Sequence, residues 1–187
     1  MFRRIMAGDR LIMHRLNQWP APQWIRTWMV IASRAGDGWI WIAVGLVLLL
    51  FGGNRRFQAL ETAAVSVGAG LMTFFLVKHL TGRERPCVSE AHCWAKLLPP
   101  DRFSFPSGHT ITAFAVAVPI GLVYPALLAG LLFCAMSVAS SRVLLGLHYL
   151  TDVLAGIVIG CAIGIAAFLT IGRLIIPACC VLQGAIF

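Results

Sequence analysis

Phe57–Pro86 reads FQALETAAVSVGAGLMTFFLVKHLTGRERP. Residues 57–80 are long and apolar enough to cross a bilayer as one helix, which takes roughly 20 residues. They end on a burst of ionisable side chains, Lys78, His79, Arg83, Glu84 and Arg85, closed by Pro86. Two further clusters follow, Pro106-Ser107-Gly108-His109 and then Ser141-Arg142 with His148 and Asp152. Each lies at the end of an apolar run. Charged side chains at a membrane boundary are costly and usually functional. Together the clusters supply cations for an oxyanion, two imidazoles and a carboxylate, the inventory of a phosphoryl-transfer site.

Composition sets the solvent. The 187 residues are 59% hydrophobic and 12% charged, with a mean hydropathy of +0.86. A water-soluble domain of this length would lack the polar surface to cover itself. The reading is a single all-α domain over residues 1–187, a polytopic transmembrane bundle of about five to six spans. Residues 1–18 read as an N-terminal amphipathic, interfacial helix rather than a signal peptide, because the basic start leads into a mixed stretch. The net charge of +8 does not imply nucleic acid, since no groove-reading or stacking motif accompanies it. Arg3, Arg4, Arg10 and Arg15 precede the first apolar segment, and Arg55 and Arg56 sit in a Gly-Gly-Asn turn. Both groups suit cytoplasmic anchoring and attract anionic headgroups.

The spans alternate with turn signals. Residues 23–34 are short for a span and suit a tilted or partly interfacial segment; Ala35-Gly36-Asp37-Gly38 is a turn. Residues 39–53 follow, with Trp39 and Trp41 placed as an aromatic belt. A polar external loop covers about 81–105, and further helices are expected over 107–122, 126–145 and 148–172. If Arg55 and Arg56 are cytoplasmic, the helix 57–80 ends outside, and counting crossings brings all three clusters to that one face. The expected location is therefore the inner (cytoplasmic) membrane, multi-pass, with the site facing the periplasm or outside. Cys87 and Cys93 share the external loop, where a disulfide is possible. The remaining cysteines have no zinc-ligand spacing.

Each cluster has its own chemistry. Lys78 and Arg85 flank a loop start and can address one anion; Arg142 adds a planar fork suited to phosphate. Ser107 and Gly108 open a helix whose N-terminus offers free N–H groups and a positive dipole end. His148 and Asp152 are spaced i,i+4 and share a helix face. A carboxylate on one ring nitrogen leaves the other as a lone-pair donor, which makes a histidine nucleophile. Other residues carry plainer readings. His14, His79 and His92 have no assigned part, although His79 adjoins Lys78. Arg83 and Glu84 pair locally or touch a headgroup, Asp37 borders the site, and the tryptophans anchor the interface.

Lys78-x6-Arg85-Pro86, Pro106-Ser107-Gly108-His109 and Ser141-Arg142-x5-His148-x3-Asp152 resemble, in order and spacing, the three-part signature of the type 2 phosphatidic acid phosphatase (PAP2) family. The resemblance implies that His148 attacks phosphorus to form a phosphohistidine, with Asp152 orienting it. It implies that His109 is the general acid and then the base that activates water. Lys78, Arg85, Arg142, Ser107 and the Gly108 backbone would hold the non-bridging oxygens. It also implies no metal and no cofactor, and a lipid phosphate taken from the bilayer as the partner. Candidates are undecaprenyl diphosphate, phosphatidic acid, phosphatidylglycerol phosphate and phosphorylated lipid A. The alternatives are a non-catalytic transporter or anionic-lipid-binding protein, which has no need of the His148–Asp152 pair, and a lipid phosphotransferase sharing the first half-reaction.

Overall fold

The computed structural model describes residues 2–86 and 103–183. Every described element is helical: α1 Phe2–Gln18, α2 Gln23–Ala35, α3 Trp39–Phe51, a 3-10 turn Gly53–Arg55, α4 Arg56–Thr81, α5 Gly108–Val123, α6 Pro125–Leu144 and α7 Leu150–Gln183. Cys87 and Cys93, for which a disulfide is possible, and His92 lie outside the described residues.

Helix α5 is the axis of the bundle. It packs on α4, α6 and α7, and almost every residue from Thr110 to Gly121 is buried. Its hydrophobic residues therefore go all the way round rather than along one stripe. The chain passes through Pro119 and Gly121 in helical form and turns only at Tyr124. Helix α6 then starts with Pro125, which suits a first helical position.

A row of glycines on α7 lets it lie close against α5. A Cβ on Gly156 would meet the Ser107 carbonyl oxygen at 3.0 Å, and one on Gly160 would meet that of Ile111 at 2.7 Å. One on Gly164 would meet Pro119 Cδ at 2.9 Å. Small residues at a four-residue repeat are how helices in lipid, with no hydrophobic effect between them, gain contact by close approach.

Three described helical stretches are long and apolar enough to span: Gly53–Thr81, Pro125–Leu144 and Leu150–Ile171. The pair α2–α3, bent by 62°, counts as at most a fourth, and α5 is a shorter apolar helix. The five to six spans expected from the sequence are thus not established by length. Two physical reasons stand out. Helix α5 is enclosed by protein, and α2 keeps to one end of the bundle. Ile25 and Met29 of α2 pack with Leu144, Leu145 and Leu147 just past the end of α6, while Ser33 meets Arg142.

The two ends of the bundle are distinct. At one, the Tyr124 hydroxyl donates to the Gly52 carbonyl at 2.7 Å, beside Arg55 and Arg56. At the other, α4 stops at Gly82, which takes a left-handed φ of 57°, and α6 hands over to α7 through Gly146 at φ 73°. Positive φ is cheap only for glycine. Helix α1 also belongs to this second end, because Asp9 bonds Arg83 and Thr151 there. That corrects the joint assignment of the basic groups: the arginines of α1 and the Arg55–Arg56 turn lie at opposite ends, so one membrane face does not hold both. The aromatic belt is corrected in part as well, since Trp39 is exposed but Trp41 is buried in the core.

Candidate active site

All three sequence clusters meet at the end marked by Gly82 and Gly146. Residues 145–149 form the turn between α6 and α7, and His148 within it is 3% exposed. Its Nδ1 lies 2.6 Å from the Ser104 carbonyl oxygen. Its Nε2 lies 2.9 Å from Arg85 Nη1. A carbonyl only accepts and a guanidinium only donates. The tautomer follows from its partners: Nδ1 carries the proton and Nε2 keeps the lone pair.

Asp152 stands one helical turn away but does not make the bond expected of it. Its Oδ2 is 3.7 Å from His148 Nδ1, beyond hydrogen-bond length. That carboxylate instead accepts from the Tyr149 N–H at 2.9 Å and from Arg83 Nη1 at 2.7 Å. The His148 ring is oriented by the Ser104 backbone, with Asp152 as a near charge. Burial pushes the His148 imidazole below its ordinary value, Asp152 opposes that, and Arg85 and Arg142 add to it.

Arg85 is 6% exposed and also donates to the Leu147 carbonyl at 3.0 Å. Arg142, at the end of α6, donates to Ser33 Oγ at 2.8 Å and reaches Asp37 Oδ1 at 3.5 Å. The same Asp37 oxygen lies 2.8 Å from His109 Nε2. Asp37, expected only to border the site, is part of it. Its carboxylate takes donors from two residues assigned to phosphate and leaving group, so it occupies the position of an anion. His109 and Asp37 are 32% and 44% exposed in their side chains, which makes theirs the open side of an otherwise buried cluster.

Ser107 sits at the N-cap position of α5 without a capping bond from its side chain. Its hydroxyl accepts from Thr110 Oγ1 at 2.9 Å, and its N–H donates to the Asp152 carbonyl at 3.1 Å. Its own hydroxyl proton therefore remains to be given. The place a Gly108 side chain would take is filled by the Phe74 ring, 3.0 Å from the ideal Cβ. This glycine is needed for α5 to approach α4. Lys78 Nζ lies over that same ring, 4.7 Å from its centroid, at the edge of the cluster beside the start of α5.

One reading is corrected. Arg83, read as a local or headgroup partner, bridges two buried carboxylates, Asp152 and Asp9, the latter at 2.7 Å from Nη2. His79 is exposed and bonds back along its own helix to the Phe75 carbonyl at 2.7 Å, away from the site. Asp9 was missed. Its signal was available: it is the sole acidic residue before Asp37.

The model of the PAP2 superfamily matches residues 59–176, more than half of the chain. Among curated proteins, a lipid A 1-phosphatase of Rhizobium johnstonii is 29% identical over 140 residues, 64% of this chain and 57% of that protein. An undecaprenyl-diphosphatase of Bacillus subtilis is 32% identical over 136 residues, 68% of this chain and 67% of that one. The chain spans 57% and 60% of the length of the two lipid A 1-phosphatases it matches. Among solved structures, a transmembrane PAP2-type phosphatidylglycerolphosphate phosphatase from Bacillus subtilis superposes with a TM-score of 0.68 at 21% identity. That superposition covers 91% of this chain and 86% of the other.

Proposed function

The chain belongs to the PAP2 superfamily, and from that premise we propose that it is a membrane lipid-phosphate phosphatase working through a phosphohistidine on His148. The observation that carries this reading is the tautomer: a buried imidazole with Nδ1–H committed to the Ser104 carbonyl and an Nε2 lone pair facing Arg85. A nucleophile needs an unprotonated lone pair and an oriented ring; this histidine has both, and its lone pair is released when a phosphate takes Arg85 from Nε2.

The substrate phosphate enters at the open side, by His109 and Asp37. Its oxygens take over Arg85 Nη1 from His148 and the fork of Arg142 from Asp37, with Ser107 Oγ–H and the first N–H groups of α5 as further donors. Lys78 adds charge from the edge. His148 Nε2 then attacks phosphorus; the N–P bond forms as the P–O bond to the lipid breaks. The departing oxygen takes the Nε2 proton of a doubly protonated His109, displaced from Asp37, and leaves that ring as neutral imidazole. His109, now basic, accepts a proton from water, whose oxygen attacks the phosphohistidine and releases inorganic phosphate. Donors fixed before the reaction cost no reorganisation when charge moves onto the oxygens.

The substrate class is a lipid phosphate or diphosphate, with phosphorylated lipid A, undecaprenyl diphosphate, phosphatidic acid and phosphatidylglycerol phosphate as candidates. Phosphate release from these four by purified protein in EDTA, with wild type beside His148→Ala, tests the reading. We expect metal-independent release from at least one, lowered about 10³-fold or more by the substitution. Release unchanged in the variant would overturn the reading. Transfer of the phosphoryl group to an added alcohol, rather than to water, would make the protein a phosphotransferase.

We further infer that the protein lies in the inner membrane with the site facing the periplasm or outside. Arg55 and Arg56 support this as the cytoplasmic turn, while the site cations have a functional reason to stand opposite. The arginines of α1 weigh the other way, because α1 lies at the site end.

A further inference from the structure

A network of buried charges lies behind the site, between it and α1. Arg83 Nη2 donates to Asp9 Oδ2 at 2.7 Å, and Nη1 donates to Asp152 Oδ1 at 2.7 Å and to Thr151 Oγ1 at 2.8 Å. Thr151 in turn gives its N–H, at 3.3 Å, and its hydroxyl proton to Asp9. The Arg83 guanidinium carbon lies 4.1 Å from the centroid of the Tyr149 ring. Asp9 is 3% exposed and Asp152 0%. Arg83 also acts through its backbone: its carbonyl accepts the Ser104 N–H at 2.7 Å, and the Ser104 carbonyl holds His148 Nδ1–H.

We propose that Arg83 and Asp9 are positioning residues for the phosphoryl-transfer centre, through which helix α1 sets how much of the Asp152 charge reaches His148. The inference rests on the phosphatase reading above. Docking α1 does not by itself require this network, because Met13 is buried in the main core and Leu16 packs against it. Burying three charges costs more than apolar packing would, so the network is poorly explained as a fastener. It has a clear electrostatic consequence. Among the described residues, Asp152 is bonded to the cation Arg83 on Oδ1 and faces the imidazole on Oδ2. With Asp9 present, the positive charge of Arg83 is shared between two carboxylates, and Asp152 retains charge to support His148 as it becomes cationic. Among the described residues, the other ionic groups around His148 are Arg85 in direct contact, Arg142 at the end of α6 with its partner Asp37, and His109 at the start of α5.

Two opposite effects follow. Asp9→Asn leaves Arg83 to Asp152 alone, weakens support for the imidazolium, and moves the acidic limb of kcat/KM to lower pH. Arg83→Gln removes the cation and moves that limb to higher pH. The shifts expected are on the order of 0.5–1 pH unit for a charge this close, with kcat down about tenfold for Asp9→Asn. Asp9→Glu restores the charge and most of the rate. Thr151→Val removes a docking bond while keeping every charge, and leaves the limb where it was.

The experiment is a pH profile of full-length protein hydrolysing dioctanoyl phosphatidic acid in detergent micelles, with thermal unfolding of each variant to show that it is folded. Opposite shifts for Asp9→Asn and Arg83→Gln, with none for Thr151→Val, support the inference. Folded variants whose limbs do not move, or move together, overturn it and reduce the network to a structural tie. A His148→Ala protein as active as wild type would mark a different failure, that of the phosphatase mechanism on which the inference stands.

Discussion

In the proposed mechanism the surroundings of His148 decide the chemistry. Its Nδ1 proton and Nε2 lone pair are fixed by the Ser104 carbonyl and Arg85, and its burial disfavours the charged ring. The sign follows: a histidine pushed below its ordinary value stays neutral, hence nucleophilic, as pH falls through about 6.5. The acidic limb of kcat/KM attributable to this group is therefore expected below that value, and a kcat/KM profile of free enzyme checks it. Asp37 yields a second expectation. It holds His109 and Arg142 in the absence of substrate, so Asp37→Asn should tighten inhibition by inorganic phosphate by about tenfold, the worth of roughly 1.4 kcal/mol. The same change should lower kcat, since His109 loses the carboxylate that orients its proton. The motif spacing named His148, His109, Arg85 and Arg142, and the structure brings these four to one end of the bundle. What was not legible is which group binds which. The i,i+4 pair suggested an Asp152–His148 bond, but Arg83 and the Tyr149 N–H hold that carboxylate, and their approach depends on a loop and a turn rather than on helix periodicity.

At the level of elements, the site depends on how closely α5 and α7 approach. Ser107 and His109 belong to one and Asp152 to the other, and the glycines at 156, 160 and 164 set their separation. Gly160→Ala would place a methyl group 2.7 Å from the Ile111 carbonyl oxygen, and backbone cannot step aside as a side chain can. A loss of about 1–3 kcal/mol is expected from such overpacking, seen as a lower Tm in detergent together with reduced phosphate release. Gly68→Ala, with open space around its Cβ position, is the control and should change neither. The glycine repeat was present in the sequence but hidden within a uniformly apolar run. Its meaning appears only when the facing helix is known. Helix α2 shows the reverse case: its shortness alone pointed to a partly interfacial segment, and both its ends do remain in the site-side half of the bundle.

For the whole molecule, the order of turns was enough to bring the three clusters to one end, because each intervening helix reverses the chain. Charge was a poorer guide. Positive residues at both ends blunt the positive-inside rule, and the placement of α1 beside the site became apparent only through the bond between Asp9 and Arg83. A consequence is that Gln18 and Asn54 lie at opposite ends of the bundle. Single cysteines at these positions in a cysteine-free background should react with a membrane-impermeant thiol reagent from opposite sides of the membrane. With the site outward, Gln18→Cys is labelled from the periplasm and Asn54→Cys is not; the reverse pattern would turn the site toward the cytoplasm. The central claim, covalent catalysis by His148, is tested most directly by rapid denaturation of the protein during turnover of a radiolabelled lipid phosphate. We expect acid-labile, base-stable label on the wild-type chain, and none on His148→Ala. Label that persists in the His148→Ala protein, or phosphate release by wild type with no labelled chain at any quench time, would contradict it.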